Sequence, residues 1–161
     1  IEFLEAAKIV KQKYDKWNFF VIGQFDYKSP SLLNVNNLRE KYGNYVSFVD
    51  YKSSLHKIFI ESSIVCLPSY REGMPKVILE ASAAGCAIVT TNVIGCRESI
   101  INNYSGELIP IKNYIELSKK IIKFIENSDL VIKYGNNARN YALKHYSVDL
   151  VIKKHFIIYN K

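Results

Sequence analysis

The chain has no apolar run approaching the roughly 18 residues that a membrane-spanning helix needs. Its glycines never assemble into G-x-G-x-x-G, and Gly23 alone after an apolar stretch is no dinucleotide fingerprint. Cys66, Cys86 and Cys96 are odd in number and lack metal-ligand spacing. Cys66 and Cys86 sit in apolar stretches and read as small core hydrophobes in a reducing compartment. His56, His145 and His155 are scattered, and no Asp-x-Asp pair occurs. The expectation is a site that uses no metal and no organic cofactor. Repeats, low-complexity segments and linker-like stretches are absent too. The opening, Ile1-Glu2-Phe3-Leu4-Glu5, is amphipathic and acidic, unlike a secretory signal. It shows neither an initiator methionine nor a helix cap, so the expectation is a piece of a longer protein. Asn103-Tyr104-Ser105 matches a glycosylation acceptor but gains little weight without such a signal.

What is present suits one soluble globular domain over residues 1–161, with 48% hydrophobic and 23% charged residues. A net charge of +7 is spread through helical segments (Lys8, Lys11, Lys13, Lys16, then Lys119, Lys120, Lys123, Lys153, Lys154). Solvated helix faces explain most of it. The aromatics do not interleave with a basic patch, which argues against nucleic acid; a peripheral contact with the inner membrane stays open.

Apolar periodicity alternates between helix and strand. Helices are expected over 2–15, 31–42, 53–60 and 75–84, with a short one near 97–101. Strands are expected over 18–22, 45–49, 64–67, 87–90 and 107–109. Beyond Asn113 the pattern is helical only, with Tyr114, Leu117, Ile121, Phe124 and Ile125 on one face and two further helices over 128–145 and 147–159. The predicted fold is α/β: one doubly wound, Rossmann-like parallel sheet with right-handed crossovers and C-terminal helices.

Ligands of such sheets bind beyond the carboxyl ends of the strands. Loops 23–26, 50–51, 68–74 and 91–96 all fall on that edge. One of them stands out. Glu72-Gly73-Met74-Pro75 opens a helix that carries Glu80. Proline suits a first helical position, glycine lets backbone approach a ligand closely, and the free N–H groups of the turn favour anions. Carboxylates instead accept hydrogen bonds from hydroxyl groups, which sugars offer in pairs. The bland alternative for Glu80 is an i, i+4 pair with Lys76, worth about 0.2–0.5 kcal/mol.

Residues 67–98 resemble the donor-site signature of the family 4 (group 1) glycosyltransferases, retaining enzymes of the GT-B type. That signature has two glutamates separated by seven residues, with Gly-x-Pro after the first and Ala after the second. The matching residues are Glu72-Gly73-Met74-Pro75, Glu80-Ala81, Ala84-Gly85 and Thr90-Thr91, and Gly106-Glu107-Leu108-Ile109-Pro110 resembles the family's next strand. The resemblance implies the C-terminal, donor-binding lobe of a GT-B enzyme, without the acceptor lobe and the first strand, and inactive alone. It implies a nucleotide-diphosphate sugar, UDP-linked, as substrate and a bacterial surface-polysaccharide or lipid-linked glycan as acceptor, in the cytoplasm. Glu72 would contact the transferring sugar as the catalytic carboxylate and Glu80 the ribose. Gly73, Met74 and Pro75 would line the sugar, Lys76, Val77 and Ile78 the phosphates, and Asp50 and Tyr51 the base. Gly95-Cys96-Arg97-Glu98 resembles transferases that use galactose-type or N-acetylhexosamine donors. The family's leaving-group Arg and Lys would lie upstream of Ile1. Two alternatives remain at this point: a nucleotide-sugar epimerase of similar fold, and a non-catalytic nucleotide-sugar-binding module.

Overall fold

The computed structural model describes residues 1–24 and 35–159. Its elements run α1 (Glu2–Lys13), β1 (Phe20–Ile22), α2 (Val35–Tyr42), β2 (Ser47–Val49), α3 (His56–Glu61), β3 (Ile64–Leu67), α4 (Lys76–Ala84), β4 (Ala87–Thr91) and β5 (Gly106–Ile109). Three helices close the chain: α5 (Tyr114–Ile125), α6 (Ser128–Tyr146) and α7 (Val148–Tyr159). The start of the helix expected over 31–42, and the Phe25-Asp26 part of one expected site loop, lie outside the described residues.

The double winding follows from β4. All five of its residues are buried, and successive side chains of a strand point to opposite faces. Ala87 and Val89 join a core with Leu4 and Val10 of α1, Leu117 and Phe124 of α5 and Tyr134 of α6. Ile88 joins a second core with Phe59 of α3 and Ile78 and Ala81 of α4. A continuous apolar run is what a parallel strand covered on both faces requires. Gly85 ends α4 at φ +90, and its N–H and that of Cys86 satisfy the carbonyls of Ser82 and Ala81. Arg139 of α6 donates to the Ala83 carbonyl at 2.7 Å.

Every pairing is parallel, as expected, but the ladder is interrupted. β1 pairs with β2, and β3, β4 and β5 pair in that order. Between β1 and β3 lies a cleft of about 630 Å³, lined among others by Phe20, Cys66, Leu55, Phe59, Val77 and Ile121. The sheet is therefore two parallel pieces instead of one. Phe20 is left 51% exposed, and no residue of β3 is fully buried. The Cys66 thiol is nonetheless tucked inside, and burial pushes its pKa up to about 12.

Two local expectations need correction. The helix expected near 97–101 is a pair of tight turns earlier in the chain, in which Arg97 N–H donates to Val93 O at 3.0 Å and Ser99 N–H to Gly95 O at 3.2 Å. Gly95 sits at φ +83, and the Ile101 N–H donates forward to the Ser105 hydroxyl at 2.7 Å instead of back to Arg97 O, so no helix runs through 97–101. Pro75 is extended (φ −74, ψ 105) and precedes the first helical residue instead of occupying it.

Candidate functional site

Loop 68–75 leaves the carboxyl end of β3 and is tied down from β4. The Thr90 hydroxyl donates to Leu67 O at 2.8 Å and the Thr91 hydroxyl to Ser69 O. Both threonines are buried, so the bonds are shielded from water and hold the loop against the strand end. On its other flank, Tyr70 donates its hydroxyl to the Glu2 carboxylate at the start of α1.

The turn at 72–75 is then presented with its polar groups unspent. Glu72 is half-buried and Glu80 exposed, and neither carboxylate has a hydrogen-bond or ion-pair partner among the described residues. The Lys76–Glu80 pair, the bland alternative for Glu80, is not formed among the described residues. A side chain built at Gly73 would meet nothing within 4 Å. The glycine therefore faces open space, as close approach of a ligand would need. Met74 is exposed beside it and Pro75 buried beneath. The backbone N–H groups of Lys76 and Val77 precede the first intrahelical bonds, and the positive end of the α4 dipole lies there.

Ile78 does not fit the role that the resemblance implies for it. Its side chain is 0% exposed in the α3–α4 core, and its N–H donates to Pro75 O at 3.0 Å. Both its surface and its donor are already used. The anion-facing donors of this turn reduce to Gly73, Met74, Lys76 and Val77.

Asp50 and Tyr51 follow β2. Asp50 lies 3.6 Å from Arg39 of α2, and Tyr51 is 64% exposed. Gly23 N–H reaches Val49 O at 3.2 Å, so the loops after β1 and β2 adjoin each other. Among the described residues no hydrogen bond or ion pair joins Asp50 or Tyr51 to the 72–80 segment.

Sequence reasoning missed what supports the turn. Ser99, 1% exposed, donates its hydroxyl to Gly95 O at 2.6 Å and lies 3.3 Å from the Met74 sulfur. It also treated Glu107 only as a strand residue. Glu107 is 0% exposed and receives Lys120 Nζ at 2.7 Å, Lys123 Nζ at 2.5 Å and the Tyr134 hydroxyl at 3.1 Å. Burial alone would raise the carboxyl's pKa, but the two lysines outweigh it and hold it below the ordinary value. The only signal in the sequence was a carboxylate inside an apolar strand. Among the described residues no cluster of His, Cys, Asp and Glu could hold a metal ion.

A parallel sheet with an unpaired Glu-Gly-x-Pro turn at its carboxyl edge is matched by a family model. The model for glycosyl transferases group 1 covers residues 1–141. The chain belongs to that family. A curated relative, the N,N'-diacetylbacillosaminyl-diphospho-undecaprenol alpha-1,3-N-acetylgalactosaminyltransferase of Campylobacter jejuni, is 33% identical over 160 residues. The match takes in 99% of this chain and 40% of that enzyme, so this group 1 glycosyltransferase chain spans about two-fifths of the relative's length. Among solved structures, the C-terminal domain of the group 1 glycosyltransferase LpcC from Francisella tularensis superposes with a TM-score of 0.79 at 26% identity, over 91% of this chain and 78% of that one. Staphylococcus aureus TarM, in a complex that includes UDP, superposes with a TM-score of 0.87 at 21% identity, over 99% of this chain and 32% of that one. The doubly wound architecture and the glycosyltransferase assignment both stand.

Proposed function

We propose that this chain is the donor-binding domain of a retaining glycosyltransferase that moves a sugar from a UDP-linked donor to a surface-polysaccharide or lipid-linked glycan. The observation that carries the reading is the 72–80 segment, where two unpartnered carboxylates flank unspent N–H groups at a helix start. The Campylobacter relative is by name a sugar transferase acting on an undecaprenol-linked glycan. Fold relatives from Staphylococcus and Anabaena hold UDP and UDP-glucose in their crystals. Such names support a transferase and disfavour the epimerase and the stand-alone binding module.

In this reading Glu72 accepts hydrogen bonds from hydroxyls of the transferring sugar. Its charge also favours the cationic character that the sugar gains as its bond to phosphate breaks. Glu80, one turn into α4, accepts from the ribose. Gly73, Met74, Lys76 and Val77 donate N–H groups to the diphosphate, assisted by the helix dipole. Asp50 and Tyr51 take the base. Diphosphate charge is met by these donors and by cationic side chains, without a metal or an organic cofactor.

No described helix is long and apolar enough to cross a membrane. We place the reaction in the cytoplasm, peripheral to the inner membrane. The exposed apolar residues of α7 (Val148, Phe156, Ile157, Ile158) support the peripheral contact.

The direct test is transfer of labelled sugar from UDP-N-acetylgalactosamine and UDP-glucose to a lipid-linked glycan by the complete protein. Label appearing in the acceptor with the anomeric configuration of the donor supports the reading. Interconversion of the nucleotide sugars without an acceptor would replace it with the epimerase.

A further inference from the structure

Gly95 makes the tightest approach to the candidate site of any glycine in the described chain. A Cβ built on it would lie 1.6 Å from Gly73 O, 2.6 Å from Gly73 C and 2.7 Å from Glu72 O. All three are backbone atoms, so no rotamer change relieves the overlap. The left-handed φ of +83 adds a second constraint. The turn that carries Gly95 is itself fixed, by Ser99 N–H to Gly95 O at 3.2 Å, by the buried Ser99 hydroxyl to the same oxygen at 2.6 Å, and by Arg97 N–H to Val93 O at 3.0 Å.

We propose that Gly95 is a positioning residue: its bare Cα is the seat on which the backbone carbonyls of Glu72 and Gly73 rest, and Ser99 holds that seat in place. The height of these two carbonyls above the 93–99 turn sets where the Glu72 carboxylate and the N–H groups of Gly73 and Met74 point. Thr90 and Thr91 anchor the start of the same loop, which leaves the Gly95 contact to fix its far end. The consequence for sugar transfer rests on the donor-binding reading above; the consequence for loop position does not.

Gly85 provides an internal control. It has nearly the same backbone conformation, φ +90, but a Cβ there would meet nothing within 4 Å. Gly85→Ala and Gly95→Ala therefore carry a similar left-handed strain, and only Gly95→Ala displaces the Glu72 and Gly73 carbonyls.

The experiment compares Gly95→Ala, Gly85→Ala and Ser99→Ala in the complete protein by two readouts. Amide hydrogen exchange of peptides spanning 68–77 should speed up at least tenfold in Gly95→Ala and a few-fold in Ser99→Ala, and stay unchanged in Gly85→Ala. Transfer from the UDP-sugar should follow the same order, with kcat lowered tenfold or more in Gly95→Ala at a temperature where both glycine variants are folded. Should Gly95→Ala fail to fold, Ser99→Ala against Gly85→Ala carries the same test. Equal exchange at 68–77 in Ser99→Ala, Gly85→Ala and the parent protein would overturn the proposal. If the parent neither binds UDP nor transfers sugar while the exchange pattern holds, the positioning role stands and the donor-binding reading fails.

Discussion

The two pieces of the sheet differ in how completely they are closed. In the β3–β4–β5 piece, β4 has helices on both faces and no exposed residue. In the β1–β2 piece each strand is three residues long, and Phe20 is half exposed at the cleft. Parallel strands are stable only when neighbours and helices cover them. The closed piece can therefore hold a loop rigidly, and it is the piece that carries the 72–80 segment and its supports. The open piece carries Asp50 and Tyr51, which no hydrogen bond or ion pair among the described residues ties to that segment.

Truncations give the strongest test of this contrast. Ile88→Ala, at the centre of the closed piece, should cost about 3–4 kcal/mol of folding stability in chemical denaturation. Phe20→Ala should cost only about 1 kcal/mol if the cleft stays open, because much of the ring is already in water. In the complete protein its cost should rise to about 3 kcal/mol if an upstream strand fills the cleft. A small Phe20 effect there would leave the two-piece sheet as the native arrangement.

Next in size is Glu107. Removing it by Glu107→Ala takes the buried acceptor from the Tyr134 hydroxyl and from Lys120 and Lys123, whose side chains still reach water (26% and 41% exposed), which should cost about 1–3 kcal/mol near neutral pH. The sign with pH follows from its lowered pKa. A carboxyl held below its ordinary 4.5 in the folded state stabilises fully above that value and loses its contribution as pH falls through the folded one. The stability gap between the parent and Glu107→Ala should therefore be constant above about pH 5.5 and narrow below pH 4.5. A gap that widened in acid would refute the assignment of charge at this site.

The smallest expected effect concerns metals. Chelation should change donor affinity, measured by titration with a UDP-sugar, by less than about twofold, since N–H groups and cationic side chains meet the diphosphate. Affinity that vanished on chelation would require a metal ion at the diphosphate and contradict this expectation.

Much of the closed piece was legible in the sequence for a physical reason. An apolar run such as Ala87 to Thr91, between Gly85 and a polar turn, has few ways to fold other than as a strand covered on both faces. The Glu72-Gly73-x-Pro75 turn was legible because its residue types are costly elsewhere. What stayed hidden depends on contacts across long separations. The Glu107 cluster joins β5 to α5 and α6, and the seat at Gly95 shows only once the Glu72 and Gly73 carbonyls lie on it. The helix expected near 97–101 failed because the Ile101 N–H is taken by the Ser105 hydroxyl, a bond that periodicity does not register. Ile78 was assigned to the phosphates by position along a motif, whereas its burial follows from the α3–α4 core.

The central claim is that the closed piece holds a donor between two carboxylates of different duty, and paired steady-state kinetics on the complete protein test it most directly. In the proposed reading Glu80 would touch a part of the donor that changes little as the glycosidic bond breaks, and Glu80→Ala should raise the donor KM and leave kcat nearly unchanged. In the same reading Glu72 would face the reacting sugar, so Glu72→Gln, which keeps size and removes charge, should lower kcat by about 10²-fold or more. Both variants should retain the parent's circular dichroism spectrum. A near-parental kcat for Glu72→Gln would contradict the account.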